Sequence, residues 1–599
     1  MATISTSNQL APITIDKFLG LNVSLTGDTQ IKMGESGNMT NWYITDDYKL
    51  KKMYGYKSIY KFGSKVQGRC VSKIGDAESL LIATGGHLYQ VTKEMLLDEE
   101  KWENISPIDL GTLTDSETTF FPFNNKIYIL NGYEYKVWDG NNLKDVEGYI
   151  PKIFISAKPS GGGTDYEPIN ILTGKKHMTF NGDGTSKEYV LPEQNLQSID
   201  KVIVNTLETT DYTVDLDNGK VVLATAPSEA MDNVDIYWTK ENGDRHLIES
   251  MKAGIIFGGN TDTKVFLYGS YEEQNRIRYS GVADLVPSVE YFPAVNQIDV
   301  GATNFAITDL RRHYDRLLVT TNKPDAYYVT LDLIDIEGYT TVSPQTFPLN
   351  EAHGNIAFNQ GQVINNDPVT IENGAIIKWK STNVRDERNM SDISQKIRLE
   401  LLEMNLKSAK TVDYNQNNQL WIAINNTIYI YNYYNETYSK IIIPHIATGF
   451  VVFNGDLYMT TETGELIKFG EHYNSYDGEL IKAHWEMNFS DFNVNYKRKT
   501  MNRLWVLMQP QAKCSAEIGY ITNRNELAVK KHIEYSLALL DDVDFSNFSF
   551  QLSNNPQPFR LKLKSKKWTN LKIVIDNNEE TDATILSLSL KIETGSESK

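Results

Sequence analysis

One pattern recurs along this chain: an apolar run, a short polar or Gly/Asn turn, then a second run carrying an aromatic residue. It is found at residues 79–91 (SLLIATGGHLYQV), 125–140 (NKIYILNGYEYKVWDG), 263–280, 315–330, 418–433 (NQLWIAINNTIYIYNY) and 455–470 (GDLYMTTETGELIKFG), with a weaker copy at 373–384. Each copy reads as a β-hairpin. A lone hairpin is marginal in water, so each must belong to a larger sheet. Strand-rich units repeating every ~40–50 residues are the signature of propeller blades, which bury their faces against one another. The pattern therefore predicts an all-β chain built around a β-propeller of six to eight blades, seven preferred. A plain β-sandwich with several hairpins is the alternative, and no WD or kelch signature is present.

The spacing fails once, between residues 140 and 263. There the Gly/Pro-rich stretch KPSGGGTDYEP (158–168) reads as a linker. It leads into short alternating strands that predict an inserted β-sandwich over residues 174–243. Insertions of this kind are tolerated because loop-closure entropy grows slowly with length. After residue 475 the repeat gives way to longer alternating strands, ending in ATILSLSLKIET at 583–594. The expected layout is an extended N-terminal segment (1–60), a first stretch of propeller (61–173), the insert (174–243), a second stretch of propeller (244–475) and a C-terminal β-sandwich (476–599). One helix is expected over residues 392–405, where Ile393, Ile397, Leu401 and Met404 keep helical spacing.

Chemistry is harder to find. The nine histidines are dispersed without metal-ligand spacing, and neither HExxH, GxSxG nor a phosphate-cradling GxxxxGK[ST] occurs. The repeated Ser-x-Asp-x-Gly-x-x-Trp boxes of propeller sialidases are absent. DLDNG (215–219) and NGDGTSKE (181–188) resemble calcium loops, but between strands they read first as hairpin turns. Tyr431, Tyr433, Tyr434 and Tyr438 could stack on sugars and read first as sheet core and edge. The expectation is no catalytic residue, no cofactor and no metal. Net charge is −18, which argues against a surface that grips nucleic acid. Two distant cysteines, Cys70 and Cys514, fit a reducing compartment. The sequence opens without a basic region followed by an apolar core, and no run is long enough to span a membrane.

Within residues 18–60 stand Phe18, Gly20, Leu21 and Asn22; then Gly34, Glu35, Asn38 and Met39; then Leu50, Gly55 and Tyr56. This series resembles the opening of the tail-completion, nozzle or stabilisation proteins of short-tailed bacteriophages, with Lys52 or Met53 where that family has Arg. GIIFGGNTDTKVFLYGS and RIRYSGVADLVPSVEYFP (254–293) are similar to further segments of the family, and so are FNGDGT and YTVD in the insert. The resemblance implies a virion structural protein, assembled in the bacterial host cytoplasm, that extends the DNA exit channel. It implies a homo-oligomeric, six-fold ring below the portal. Its partners would be portal-adaptor or connector proteins, other tail proteins or fibres, and genomic DNA in transit without specific binding. An acidic lumen would repel phosphates over a Debye length of ~8 Å, letting DNA slide. A host-surface, glycan-binding adhesin is the alternative function, and a propeller glycosidase a further rival. Phe18, Asn22, Trp42, Tyr43, Tyr54 and Tyr56 are the candidate interface residues, because aromatics are enriched at interface hot spots. The competing reading of the same segment is a strand that completes the propeller.

Overall fold

Five of the seven recurring hairpins form the inner two strands of a four-stranded antiparallel sheet, and a sixth, at 455–470, lies inside a six-stranded one. The computed structural model describes residues 10–597 apart from 11, 25–31, 242, 259–262, 285, 337–338, 381–388, 512, 537–554 and 557. Among these the chain is all-β, with α-helix confined to three segments of four or five residues. It divides into two compact units: residues 67–90 with 108–354, and residues 1–66 with 91–107 and 355–599.

The unit of residues 67–90 and 108–354 holds four such sheets, within residues 66–112, 119–145, 253–299 and 307–350. The other unit holds two, within residues 362–392 and 410–442, and a six-stranded sheet to which residues 447–469 give three strands. The inner strands are covered on both faces: Gln419–Ile424 is buried at every position, and Thr427–Asn432 at all but its first. That is why they read as near-continuous apolar runs rather than alternating ones. Their turns are tight. Asn454 and Gly455, at φ 51° and 91°, join Ala447–Phe453 to Asp456–Thr461 through the two left-handed positions that such a turn requires. At the weak copy the inner hairpin lies upstream of the expected place. It is Asp367–Glu372 with Ala375–Trp379, and the outer strand Met390–Asp392 follows residues 381–388, which lie outside the described set.

The six-stranded sheet takes its fourth strand from the start of the chain and continues into Ser475–Tyr476 and Glu479–Leu480. Tyr56–Lys61 pairs antiparallel with Glu465–Phe469, setting Tyr56 against Phe469 and Lys61 against Glu465. The rest of the N-terminal segment is not extended chain, because its own residues supply strands to a C-terminal pair of sheets. Ile13–Ile15, Trp42–Ile44 and Leu50–Lys52 join a seven-stranded sheet centred on Lys497–Met508 and Thr584–Glu597. Gly20–Leu21 and Glu35–Thr40 join a six-stranded sheet with Ala483–Met487, Leu571–Asn577, Lys513–Thr522 and Asn525–Ser536. Buried side chains of both sheets, among them Phe18, Trp42, Trp485, Val506, Ile575 and Leu588, share one core.

The insert begins earlier than its sequence suggests. Its six-stranded sheet includes Lys152–Ala157, which pairs parallel with Lys175–Gly182. The Gly-rich stretch is thus a loop inside this sheet, returning so that Thr164–Asp165 pairs with Phe154 and Ile155. A three-stranded sheet of Glu188–Val190, Lys220–Leu223 and Tyr212–Asp215 completes the core around Phe180, Tyr189, Val221 and Trp238. The expected helix at 392–405 is broken into a 3-10 turn, Gln395–Ile397, and one α-helical turn and a half, Arg398–Leu402. Ile397 and Leu401 are still buried, so the spacing identified the inward face but not the element length.

Candidate functional site

The six candidate interface residues all lie in the interior of the unit that holds both chain ends. Phe18 and Trp42 are fully buried, Tyr56 nearly so, and Tyr43, Tyr54 and Asn22 are under a tenth exposed. Phe18 meets Trp485 edge-to-face at 5.4 Å, across from the N-terminal segment to the C-terminal sheets. Tyr43, Tyr54 and Phe469 form an edge-to-face chain at 6.0 and 6.4 Å, and Tyr56 stacks on Tyr476 at 5.0 Å. Burial pushes the phenols of Tyr43, Tyr54 and Tyr476 well above their ordinary range. Asn22 donates to the Glu35 carboxylate at 2.8 Å and accepts from Ser24. Side chains so enclosed have no face left for a partner. The aromatic enrichment of this segment reflects core packing, and the interface assignment is corrected accordingly.

The glycines of the same motif explain themselves. Gly20 has φ 77°, and a Cβ there would run into the Tyr438 carbonyl oxygen. A Cβ on Gly55 would strike the carbonyl of Ser475. Lys52 is 2% exposed. Its ammonium donates to Asn577 Oδ1 at 2.9 Å and to the carbonyls of Glu579 and Thr581 at 2.6 and 3.0 Å. Three donors meet three oxygens, an arrangement suited to an ammonium rather than a planar guanidinium. Burial lowers the Lys52 pKa to about 8, against the pull of Asp582 and Glu579.

Two histidine–aspartate pairs stand out among the remaining polar groups. His177 Nδ1 lies 2.8 Å from Asp235 Oδ1, its ring stacked on Tyr237 at 4.2 Å. His484 Nδ1 lies 2.6 Å from Asp576 Oδ1, and its Nε2 faces Glu486 at 3.7 Å. Lys530 also grips Asp576, at 2.5 Å, and Lys572 grips Glu486 at 3.0 Å. This second group is an alternating ladder of charge across strands of one sheet. The calcium-like loops serve as turns: Asp183 accepts from the amides of Thr185 and Ser186, and Asp215 from Asn218. Among the described residues no group of three or more His, Cys, Asp or Glu is placed to hold a metal ion. Tyr431 and Tyr438 are buried, Tyr433 donates to Asp413, and Tyr434 alone of the four is 70% exposed.

A feature hidden by the whole-chain charge lies on the seven-stranded sheet. Along Lys497–Met508 the buried Leu504, Val506 and Met508 alternate with Arg503 and Trp505, which face away from the core. Register sets Arg503 beside Lys591 and Trp505 beside Arg560. Lys562 continues the outward alternation past buried Leu561, and exposed Lys566 pairs with Thr500. The outer face is thus a basic surface around a half-buried tryptophan, with Glu593 opposite Thr500 as a carboxylate in the row. Among the described residues none of these five cations forms an ion pair. The signal was present in the sequence as FRLKLKSKKW, where Lys and Arg take every outward position of an alternating strand.

No protein-family model and no curated protein matches the chain. Among solved structures, the computationally designed Ika8 protein aligns with 69% of this chain and 99% of its own, at 10% identity and a TM-score of 0.32. BamB from Moraxella catarrhalis aligns with 78% of this chain and 99% of its own, at 10% identity and a TM-score of 0.30. An exo-β-1,3-galactanase from Phanerochaete chrysosporium, solved with galactose, aligns with 80% of this chain and 96% of its own, at 6% identity and a TM-score of 0.20. Similarity at this level carries neither architecture nor function to this chain.

Proposed function

We propose that this chain is a non-enzymatic structural protein of a bacteriophage virion, a tail nozzle or hub subunit. Its copies form a ring that extends the DNA exit channel below the portal and adaptor. In this reading six four-stranded sheets and the six-stranded sheet holding the hairpin at 455–470 are the blades of one closed β-propeller, and the strand Tyr56–Lys61 fastens the last blade.

The observation that carries the reading is where the family-like motif falls. Phe18, Gly20, Leu21, Gly55 and Tyr56 are the residues that weave the start of the chain into its end, packing on Trp485, Tyr438, Ser475 and Phe469. A motif placed at the joint of a fold is kept for architecture, in line with a family defined by architecture rather than chemistry. A conduit must also resist opening under the pressure of a passing genome. Pairing strands from both ends of the chain in one sheet, Ile13–Ile15 on Thr584–Glu597, supports that. Electron microscopy of the purified protein, and of virions that contain it, tests the proposal. Rings of this chain on the tail axis, each subunit with seven-bladed radial density, are expected. Subunits lacking radial symmetry, or a location away from the tail axis, would overturn it.

A further inference from the structure

We propose that the basic outer face of the seven-stranded sheet is the docking surface for the acidic unit of a neighbouring copy of the same chain. The inference rests on the ring reading above and names the contact that would build the ring.

Charge is divided unevenly along this sequence. The residues of the unit 67–90 and 108–354 carry almost all of the net charge of −18, while those of the other unit come close to balance. Within the balanced unit, Arg503, Arg560, Lys566 and Lys591 are gathered on one sheet face, with exposed Lys562 directly after the strand Pro558–Leu561. Such a subunit has a positive patch and a negative body at different addresses. Two copies can satisfy these head to tail, the arrangement the ring reading requires, and a head-to-tail contact closes into a ring when its rotation permits. A contact between two identical faces would oppose like charges.

The face has the composition of a contact rather than of a solvated wall. Trp505 stands half-buried among cations, with Leu507 and Ser589 beside it. An aromatic anchor inside a charged rim is the usual anatomy of an energetic centre in an interface. Exposed lysines are ordinarily interspersed with carboxylates, whereas Glu593 is the carboxylate on this stretch. A DNA backbone would also fit five cations, but the strongly negative remainder of the subunit repels it at long range.

The test uses the full-length chain and a triple variant, Arg503→Glu, Lys562→Glu and Lys591→Glu, with a thermal melt to verify that both fold alike. All three positions point away from the core, so the fold should survive. Mass photometry and sedimentation at 50 mM and 500 mM NaCl should show wild-type oligomers that dissociate with salt. The variant should associate at least 10-fold more weakly at low salt. Trp505→Ala should weaken assembly at both salt concentrations. Assembly of the triple variant equal to wild type overturns the docking face while leaving the ring reading standing. A wild type that stays monomeric at every salt also overturns it, and electron microscopy then decides the ring reading separately. If a 30-base-pair duplex binds wild type, fails to bind the variant, and assembly is unchanged, the occupant is nucleic acid and the proposal fails. If neutralising Asp541, Asp542 and Asp544 lowers the melting temperature of wild type but not of the triple variant, the face is covered by its own chain, and the proposal fails equally.

Discussion

Replacing His484 by Gln should destabilise the C-terminal sheets in neutral solution and do nothing in alkaline solution. The imidazole bridges two carboxylates, with Asp576 on one nitrogen at 2.6 Å and Glu486 toward the other at 3.7 Å. Hydrogen bonds donated to Asp576, then to Glu486, raise its pKa from 6.5 to about 9 against the opposing effect of burial. It is therefore an imidazolium at neutral pH. The same contacts, outweighing burial, hold both Asp576 and Glu486 below their ordinary values. A rise from 6.5 to about 9 corresponds to about 3 kcal/mol at 1.36 kcal/mol per pH unit. The His484 side chain is 32% exposed, so solvent screening reduces this to about 1–2 kcal/mol. Lys530 remains on Asp576 when the imidazole goes, which favours the lower end.

The sign follows from linkage. A group whose pKa is raised on folding stabilises fully below its unfolded value, and the contribution fades as pH climbs through the folded value. His484 should therefore contribute in full below pH 6.5 and nothing well above pH 9. Asp576 and Glu486, with lowered values, contribute above their ordinary range and lose that contribution as pH falls. The chain has two compact units, so one global unfolding free energy is not defined. Amide exchange along Ala483–Met487 reports the sheet directly. Between wild type and H484Q, opening should become about 5–30-fold more frequent at pH 6, about 1–2 kcal/mol, and the difference should vanish at pH 10. A difference that persists at pH 10 would refute the electrostatic account, and so would its absence at pH 6.

Gly55→Ala, which drives a Cβ into the Ser475 carbonyl, should cost about 3 kcal/mol or more, read as a lower melting temperature for the transition of its unit. Removing residues 152–243 with a short Gly/Ser bridge should leave a soluble protein, whereas removing 174–243 strands Lys152–Ala157 without its partner and exposes Ile153 and Phe154; equal solubility of the two would contradict the insert boundary. Truncating residues 1–61 should abolish the folded unit that holds both termini, since it removes six strands and the buried Phe18, Trp42 and Tyr56; a truncated chain with unchanged exchange along Glu465–Phe469 would show the pairing to be dispensable.

The inner hairpins were legible because their strands are enclosed on both faces and their turns are short. A run such as QLWIAI followed by Asn-Asn and TIYIYN specifies apolar strands and a reversal without any distant information. The outer strands were not legible. Ile108–Thr112 is exposed or half-exposed along its length, so its sequence, IDLGT, lacks an apolar pattern. The start of the insert was missed for a different reason. Lys152–Ala157 pairs in parallel with Lys175–Gly182, and parallel neighbours are not joined by a turn that a sequence could announce. The basic face was missed because a net charge is a sum. Opposite charges in different regions of the chain cancel in the total while each region keeps its own field.

The N-terminal segment was legible two ways, as an interface and as a strand that completes the propeller, and its partners show why. Its aromatics suit an interface or a core equally well, and sequence fixes only that they must be covered. What covers them lies hundreds of residues away: Tyr56 pairs opposite Phe469, and Ile13 opposite Leu590. During synthesis residues 18–61 therefore wait, apolar and strand-prone, until nearly the whole chain has been made. Such a segment is an aggregation hazard, and flanking charges are the usual protection. Lys49, Lys51, Lys52, Lys57 and Lys61 supply that protection here, and in the folded chain Lys57 and Lys61 are exposed, Lys49 and Lys51 half-buried and Lys52 buried. Replacing Lys49, Lys51 and Lys57 with Thr should thus lower soluble yield several-fold during expression at 37 °C. The melting temperature of the recovered soluble fraction should stay within about 2 °C of wild type, because the solvent-facing contacts of these lysines, such as Lys51 to the exposed Glu471, contribute little to the finished fold. A fall in melting temperature matching the loss of yield would mean that these lysines act in the native state, and the folding argument would be wrong.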